Sequence, residues 1–72
     1  METITYLVLS QLKKELKTSK KVAAFLDVHT GLIKFYLSDP SIDASSYYRK
    51  RFILGLMELK GGRVNRASTL GI

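Results

Sequence analysis

Cysteine is absent from the 72 residues, which include only one proline and one histidine. Without cysteine, neither a disulfide framework nor a thiolate metal site can stabilise so small a fold. The usual pairs of a nucleophile and a general base are also nearly unavailable, so we expect a protein that is not an enzyme and has no cofactor or metal. The shortage of proline leaves room for long helices.

Long apolar runs are missing as well. The longest ones fall well short of the roughly 20 residues that span a bilayer. The first ten residues, METITYLVLS, are acidic and polar before a short apolar run, so we expect no signal peptide. A hydrophobic content of 46% is ordinary for a folded protein. We therefore expect one small, soluble, intracellular domain without a membrane partner.

Acidic residues are few. Six of them stand against twelve lysines and arginines, and the net charge is +6. The basic residues cluster: five lysines lie between Lys13 and Lys21, and the segment YYRKRF adds Arg49, Lys50 and Arg51. This pattern favours a polyanionic partner such as DNA, RNA or an acidic membrane surface, although basic runs are often only solvated surface.

Apolar residues recur at helical spacing along most of the chain. The pattern predicts helices from Thr3 to about Lys17, from about Ser19 to Leu26, from about Thr30 to Ser38, and from Ala44 to Lys60. The β-branched residues of TITYLVL also favour a strand. However, apolar residues recur without a gap at positions 4, 8, 12 and 16, and this spacing favours a helix. The predicted core residues are Ile4, Leu7, Val8, Leu12 and Leu16 in the first helix, and Tyr48, Phe52, Ile53, Leu56, Met57 and Leu59 in the fourth.

Polar residues and helix breakers mark the ends of these helices. Pro40 ends the third helix because it disfavours helical geometry at the preceding residue. The pair Gly61-Gly62 ends the fourth, so we divide the chain into a helical domain (1–60) and a flexible tail (61–72) whose two arginines could contact nucleic acid. The predicted N-caps are Thr18 or Ser19, His29 or Thr30, and Asp43 for the second, third and fourth helices.

The two short central helices have the spacing of a helix-turn-helix. In that motif, a small residue in the first helix lets the second cross closely, and a buried apolar residue ends the first helix. Ala23 and Leu26 fill these positions, Val28 is the buried turn residue, and Ile33 and Tyr36 anchor the second helix. The alternative register with Ala24 as the small residue would bury an aspartate.

On these residues, the segment from Ser19 to Ser38 resembles the helix-turn-helix of small phage regulators, the lambda Cro and repressor family. The resemblance implies an all-α, lambda repressor-like domain of about four helices. It also implies a sequence-specific transcriptional regulator, a phage or mobile-element repressor that binds double-stranded DNA as a homodimer in the bacterial cytoplasm, at the nucleoid. In one departure, Asp27 occupies a turn position where the family prefers glycine. Aspartate tolerates the positive φ that is common there better than most residues.

The resemblance further implies which residues contact DNA. Lys34 would donate to a guanine, Thr30 would bond a base or a phosphate, and Phe35 would cover a thymine methyl group. Gly31 would let the helix approach the groove closely. The complete expected set is Lys17, Lys20 and Lys21 on phosphates, with His29, Thr30, Gly31, Lys34, Phe35 and Ser38 facing the bases.

Simpler interpretations of these residues stay open. His29 could be only a capping or exposed residue, and Phe35 could belong to the core or to a dimer contact. Tyr47 and Tyr48 could stack on bases, or one of them could pack in the core while the neighbouring basic residues are solvated or face phosphates. A dimer interface could involve Leu54, Met57 or the tail.

Other functions also stay open. The apolar segment LIKFYL suits a small helical protein-interaction module, such as an anti-repressor, an antitoxin or an inhibitor of a host factor. Binding of RNA or non-specific DNA by charge alone, and an architectural role like that of an excisionase, are further alternatives.

Overall fold

The fold was determined from a computed structural model, which describes residues 2–62. It consists of four α-helices, namely α1 (Ile4–Leu16), α2 (Ser19–Leu26), α3 (Thr30–Ser38) and α4 (Ser46–Met57), followed by a π-helical turn, Glu58–Gly62. This range contains no strand, so the all-α prediction is confirmed. The predicted tail lies outside the described residues from position 63 onward. None of the described helices combines the length and apolar character needed to cross a membrane.

Side-chain caps explain where α1 and α2 begin. The Thr3 hydroxyl accepts a hydrogen bond from the Tyr6 N–H at the start of α1. Thr18 does the same for the Lys21 N–H in α2. Such caps satisfy N–H groups that have no partner within the helix. The predicted bounds of α2 and α3 are confirmed.

The fourth helix starts later than predicted, and Asp43 is not its N-cap. Ser45 occupies the cap position and makes no side-chain capping bond. Both carboxylate oxygens of Asp43 have other partners, because Oδ1 accepts from the Thr5 hydroxyl and Oδ2 pairs with Arg49 at 2.7 Å. These hydrogen bonds lower the pKa of Asp43 below its ordinary value, and the bond from Thr5 has the largest effect.

The same helix also ends earlier than the predicted Lys60. Its regular part stops at Met57, and Gly61 in the following turn has a φ of 132°. Glycine adopts such an angle far more easily than other residues. The regular α-helix therefore ends before the predicted glycine pair, and Gly61 breaks only the turn that follows it.

One core joins all four helices, but the side of α1 that packs against this core is not the predicted one. Thr5 and Leu9 are fully buried, whereas the predicted core residues Ile4 and Leu7 are 54% and 51% exposed. Thr5 can be buried because its hydroxyl donates to Asp43 and accepts from the Ala44 N–H. In α4, Phe52 is buried as predicted, but Met57 is exposed. The buried residues are Thr5, Leu9, Leu12, Val22, Ala23, Leu26, Ile33, Tyr36, Ala44 and Phe52.

Replacing Thr5 with valine is expected to raise the pKa of Asp43 toward the ordinary value of an aspartate, because the hydrogen bond from Thr5 is the main cause of its lowering. A lowered carboxyl pKa in the folded state stabilises the fold above the unfolded pKa, and this stabilisation is lost as the pH falls through the folded pKa. The valine variant should therefore lose less stability than the wild type on acidification below about pH 4. NMR titration of the Asp43 carboxyl carbon measures the shift.

Thr5→Ser is the matched control for this prediction, because it keeps the hydroxyl and removes only the methyl group. The pKa of Asp43 should stay low in the serine variant. Equal Asp43 pKa values in the valine variant and the wild type would contradict the assigned role of Thr5.

Candidate nucleic-acid interface

The interface begins at a sharp corner between α2 and α3. Asp27 is in the left-handed conformation, with φ 58° and ψ 50°. Its N–H donates to the Ala24 carbonyl at 3.3 Å, and the Val28 N–H donates to the Ala23 carbonyl at 2.9 Å. A left-handed residue that bonds back to the last helical turn is a common way to end a helix. The chain therefore breaks where the sequence predicts, and Asp27 adopts the positive φ expected of that position.

Packing beneath the corner follows the predicted spacing. Ala23 and Leu26 are buried on α2, and Ile33 and Tyr36 are buried on α3. Val28, in the turn, packs partly buried against this core. The small side chain of Ala23 allows the two helices to approach closely. This register leaves Asp27 exposed and so avoids burying its charge.

Arg51 of α4 holds the corner in place. Its guanidinium donates to the Leu26 carbonyl at 2.6 Å and lies 5.6 Å from the centre of the Tyr47 ring. Carbonyl groups at the end of a helix lack internal partners and attract a cation. Gly55 permits the close approach of α4, because a Cβ atom there would overlap the Leu26 side chain. The basic pattern of YYRKRF did not indicate this structural role for Arg51.

The other residues of the YYRKRF segment divide between structure and surface. Tyr48 is partly buried and stacks on Phe52, with ring centres 5.9 Å apart, whereas Tyr47 is 64% exposed. The interpretation that one tyrosine packs in the core is therefore confirmed. Arg49 is paired with Asp43. Lys50 remains exposed, so only part of the predicted basic cluster is a solvated surface.

Replacing Arg51 with alanine is expected to lower the free energy of unfolding by about 1.5–3 kcal/mol, the usual range for a hydrogen bond made by a charged group. The Leu26 carbonyl would lose its donor, and α4 would lose its link to the corner. Urea denaturation followed by circular dichroism measures the change. Lys50→Ala is the control, because an exposed neighbour should alter stability by no more than about 0.5 kcal/mol. An equal loss of unfolding free energy in both variants would contradict the proposal that Arg51 holds the corner between α2 and α3 in place.

The outer face of α3 carries most of the residues that the resemblance assigns to DNA bases. Gly31, Lys34, Phe35 and Ser38 are exposed, and their spacing places them along one side of the helix. Thr30 is half-buried at the helix start. Phe35 is 54% exposed, so it does not belong to the core of the described fold. The ring of Phe35 meets the buried Tyr36 ring edge-on, with centres 5.3 Å apart.

Two polar residues of the expected set also bond within α3. The His29 Nδ1 atom accepts a hydrogen bond from the Gly31 N–H at 3.1 Å, so His29 is the N-cap of α3. The Ser38 hydroxyl donates to the Phe35 carbonyl at 2.6 Å. Both side chains are exposed.

The expected phosphate-binding lysines lie where α1 gives way to α2. Lys17 is the C-cap residue of α1, and Lys20 and Lys21 are in the first turn of α2. All three are exposed. Among residues 2–62 the ion pairs are Arg49–Asp43 and Lys60–Glu15, which leaves these lysines and Lys34 available to an external anion.

Apolar side chains are exposed on a separate part of the surface. Phe25 of α2 and Leu54 of α4 line a shallow cavity of about 240 Å³ beside Gly55. Leu54 and Met57 are 52% and 56% exposed. The structure therefore leaves accessible the α4 residues that the sequence suggests for a dimer contact.

Comparison with known proteins finds no matching family model, no similar curated protein and no similar solved structure at a significant level.

Proposed function

We propose that this protein is a sequence-specific, DNA-binding transcriptional regulator. It inserts α3 into the major groove of double-stranded DNA, and α2 rests on the phosphate backbone. It acts as a phage or mobile-element repressor at the nucleoid, in the cytoplasm of a bacterial host. It is not an enzyme and uses no cofactor, metal or small-molecule substrate.

The observation that carries this proposal is the exposed face of α3. Gly31, Lys34, Phe35 and Ser38 lie exposed along one side of α3, which follows the corner held by Arg51. Lysine donates to guanine in the major groove, and an aromatic ring can contact a thymine methyl group. The absence of a side chain at Gly31 brings the helix backbone closer to the bases. These are the chemical elements that base recognition requires.

The charge distribution supports the same proposal. Lys17, Lys20 and Lys21 follow one another around the junction of α1 and α2, outside the described ion pairs. The free N–H groups at the start of α2 add to the attraction for anions. Contacts of this kind fix the orientation of a protein on the duplex but do not read its sequence.

A homodimer completes the proposal. A single small module buries too little surface for tight, specific binding. The exposed side chains of Leu54 and Met57 offer an apolar surface for a second copy of the chain. Dimerisation would double the number of base contacts and favour a palindromic site.

A second candidate is a small helical protein-interaction module that acts as an anti-repressor, an antitoxin or an inhibitor of a host factor. The exposure of Phe35 favours it, because a large aromatic side chain on an accessible helix suits an apolar protein groove. In this case the outer face of α3 would bind protein instead of DNA.

A salt titration of duplex binding tests the proposal. The logarithm of the affinity should fall linearly with the logarithm of the salt concentration, with a slope of about −2.7 per chain if the three lysines each contact a phosphate. Fluorescence anisotropy with a labelled duplex measures this slope. Failure to bind any duplex at physiological salt, with capture of one stoichiometric protein partner, would support the second candidate instead.

A further inference from the structure

A basic groove runs between α1 and the end of α3. We call it the lysine groove. It has a volume of about 510 Å³ and is open to solvent. Its lining provides three ammonium groups and two hydroxyl groups, and no carboxylate lines it among the described residues. Ammonium and hydroxyl groups donate hydrogen bonds to phosphate oxygens. The lining residues are Tyr6, Ser10, Lys13, Lys14, Lys17 and Leu37.

The backbone at Lys17 is strained. Its φ is 84° and its ψ is −40°, a region in which residues with a side chain are rarely found. Its N–H donates to the Lys13 carbonyl at 2.7 Å and so closes the end of α1. Glycine would make the same turn without this cost. A lysine at such a position suggests that its side chain has a use outside the fold.

The position of the groove connects it with the proposed DNA-reading surface. Leu37 forms one wall, and Lys34 lies one helical turn before it in α3. Lys17 also lines the groove, and the first turn of α2, which contains Lys20 and Lys21, follows it in the chain. The groove therefore borders both the helix that contacts bases and the lysines that contact phosphates in the proposed function.

We propose that the lysine groove binds phosphate groups of the DNA backbone beside the segment that α3 contacts. Lys13 and Lys14 thereby join Lys17 in the interface. This inference rests on the proposed function, because the ligand is the same duplex. Cations near the end of a helix also stabilise its dipole, which is a simpler explanation for Lys13 and Lys14. That explanation does not account for the strained Lys17.

The test measures the salt slope of duplex binding for the full chain and for the double variant Lys13→Gln/Lys14→Gln. Losing two phosphate contacts should reduce the magnitude of the slope by about 1.8 and weaken the preferred and random duplexes by the same factor. Lys50→Gln is the control, because this exposed lysine lies outside the groove. An unchanged slope in the double variant, with normal binding by the wild type, would overturn the inference.

The Lys17→Gly variant separates binding from folding. It should keep or raise the Tm, because glycine relieves the strained backbone, and should reduce the magnitude of the slope by about 0.9. A lower Tm with an unchanged slope would show that Lys17 serves the fold alone and would overturn the inference.

Wild-type behaviour distinguishes failure of this inference from failure of the proposed function. The wild type could bind all duplexes equally while the double variant has a smaller salt slope of duplex binding. That result would contradict sequence-specific recognition but support phosphate binding in the lysine groove. Inorganic tripolyphosphate at matched ionic strength provides the last comparison. Saturable NMR shifts of the groove residues with tripolyphosphate but none with duplex would overturn the DNA assignment in favour of a free polyphosphate.

Discussion

Phe52→Ala is expected to unfold most of the protein at room temperature. Phe52 is fully buried and contacts two aromatic rings, those of Tyr36 and Tyr48. Removing a buried phenylalanine costs about 3–5 kcal/mol through lost burial and the cavity left behind. A domain of this size rarely has more than about 3–5 kcal/mol of stability from its core. Thermal denaturation followed by helical circular dichroism should show a lost or strongly shifted transition.

Phe35→Ala is the matched control for this substitution. Phe35 is 54% exposed, and its removal opens no internal cavity. It should change the free energy of unfolding by less than about 1 kcal/mol, while duplex binding weakens. Similar destabilisation by both substitutions would contradict the assignment of Phe52 to the core and Phe35 to the interface.

Lys34→Ala and Lys21→Ala are expected to have different effects on DNA binding. Lys34 lies on the outer face of α3, and its loss should relax the preference at one base pair by about 1–3 kcal/mol. Lys21 lies in the first turn of α2, and its loss should weaken all duplexes about equally and reduce the salt slope by about 0.9. Anisotropy titrations with the preferred duplex and with single-base variants separate the two effects.

Both lysines are exposed, and among residues 2–62 neither belongs to a described ion pair, so stability should hardly change in either variant. This makes each variant the control for the other. Identical losses of affinity and identical base preferences in the two variants would contradict the separate roles of α2 and α3.

The corner between α2 and α3 was predictable because local rules determine it. Thr18 is a favoured capping residue, His29 has a ring nitrogen that can accept a capping N–H, and the apolar spacing allows only one register without burying Asp27. Each of these signals acts within a few residues along the chain. The bounds of α2 and α3 could therefore be predicted from sequence, whereas the positive φ of Asp27 was implied by the resemblance to the helix-turn-helix family.

Features that depend on distant residues could not be predicted in this way. Thr5 is buried because Asp43 and Ala44, far along the chain, satisfy its hydroxyl group. The apolar pattern alone favours Ile4 and Leu7 as core residues, although both are exposed. Hydrophobic periodicity does not reveal where a polar partner will lie in the folded chain.

The same limit applies to the basic residues of α4 and α1. In sequence, Arg51 is indistinguishable from its basic neighbours, and only the folded chain brings it to the Leu26 carbonyl. The lysine groove likewise requires α3 to pack beside α1. Charge counts indicate an anionic partner, but the division between structural and binding residues depends on tertiary contacts.

Selection of bound duplexes from a random pool tests the central claim most directly. The wild-type protein should enrich one sequence at physiological salt, with a palindrome if it binds as a dimer. The Lys34→Ala variant, selected in parallel, should lose the preference at one position of each half-site. Recovery of duplexes with no common sequence by the wild-type protein would contradict the account.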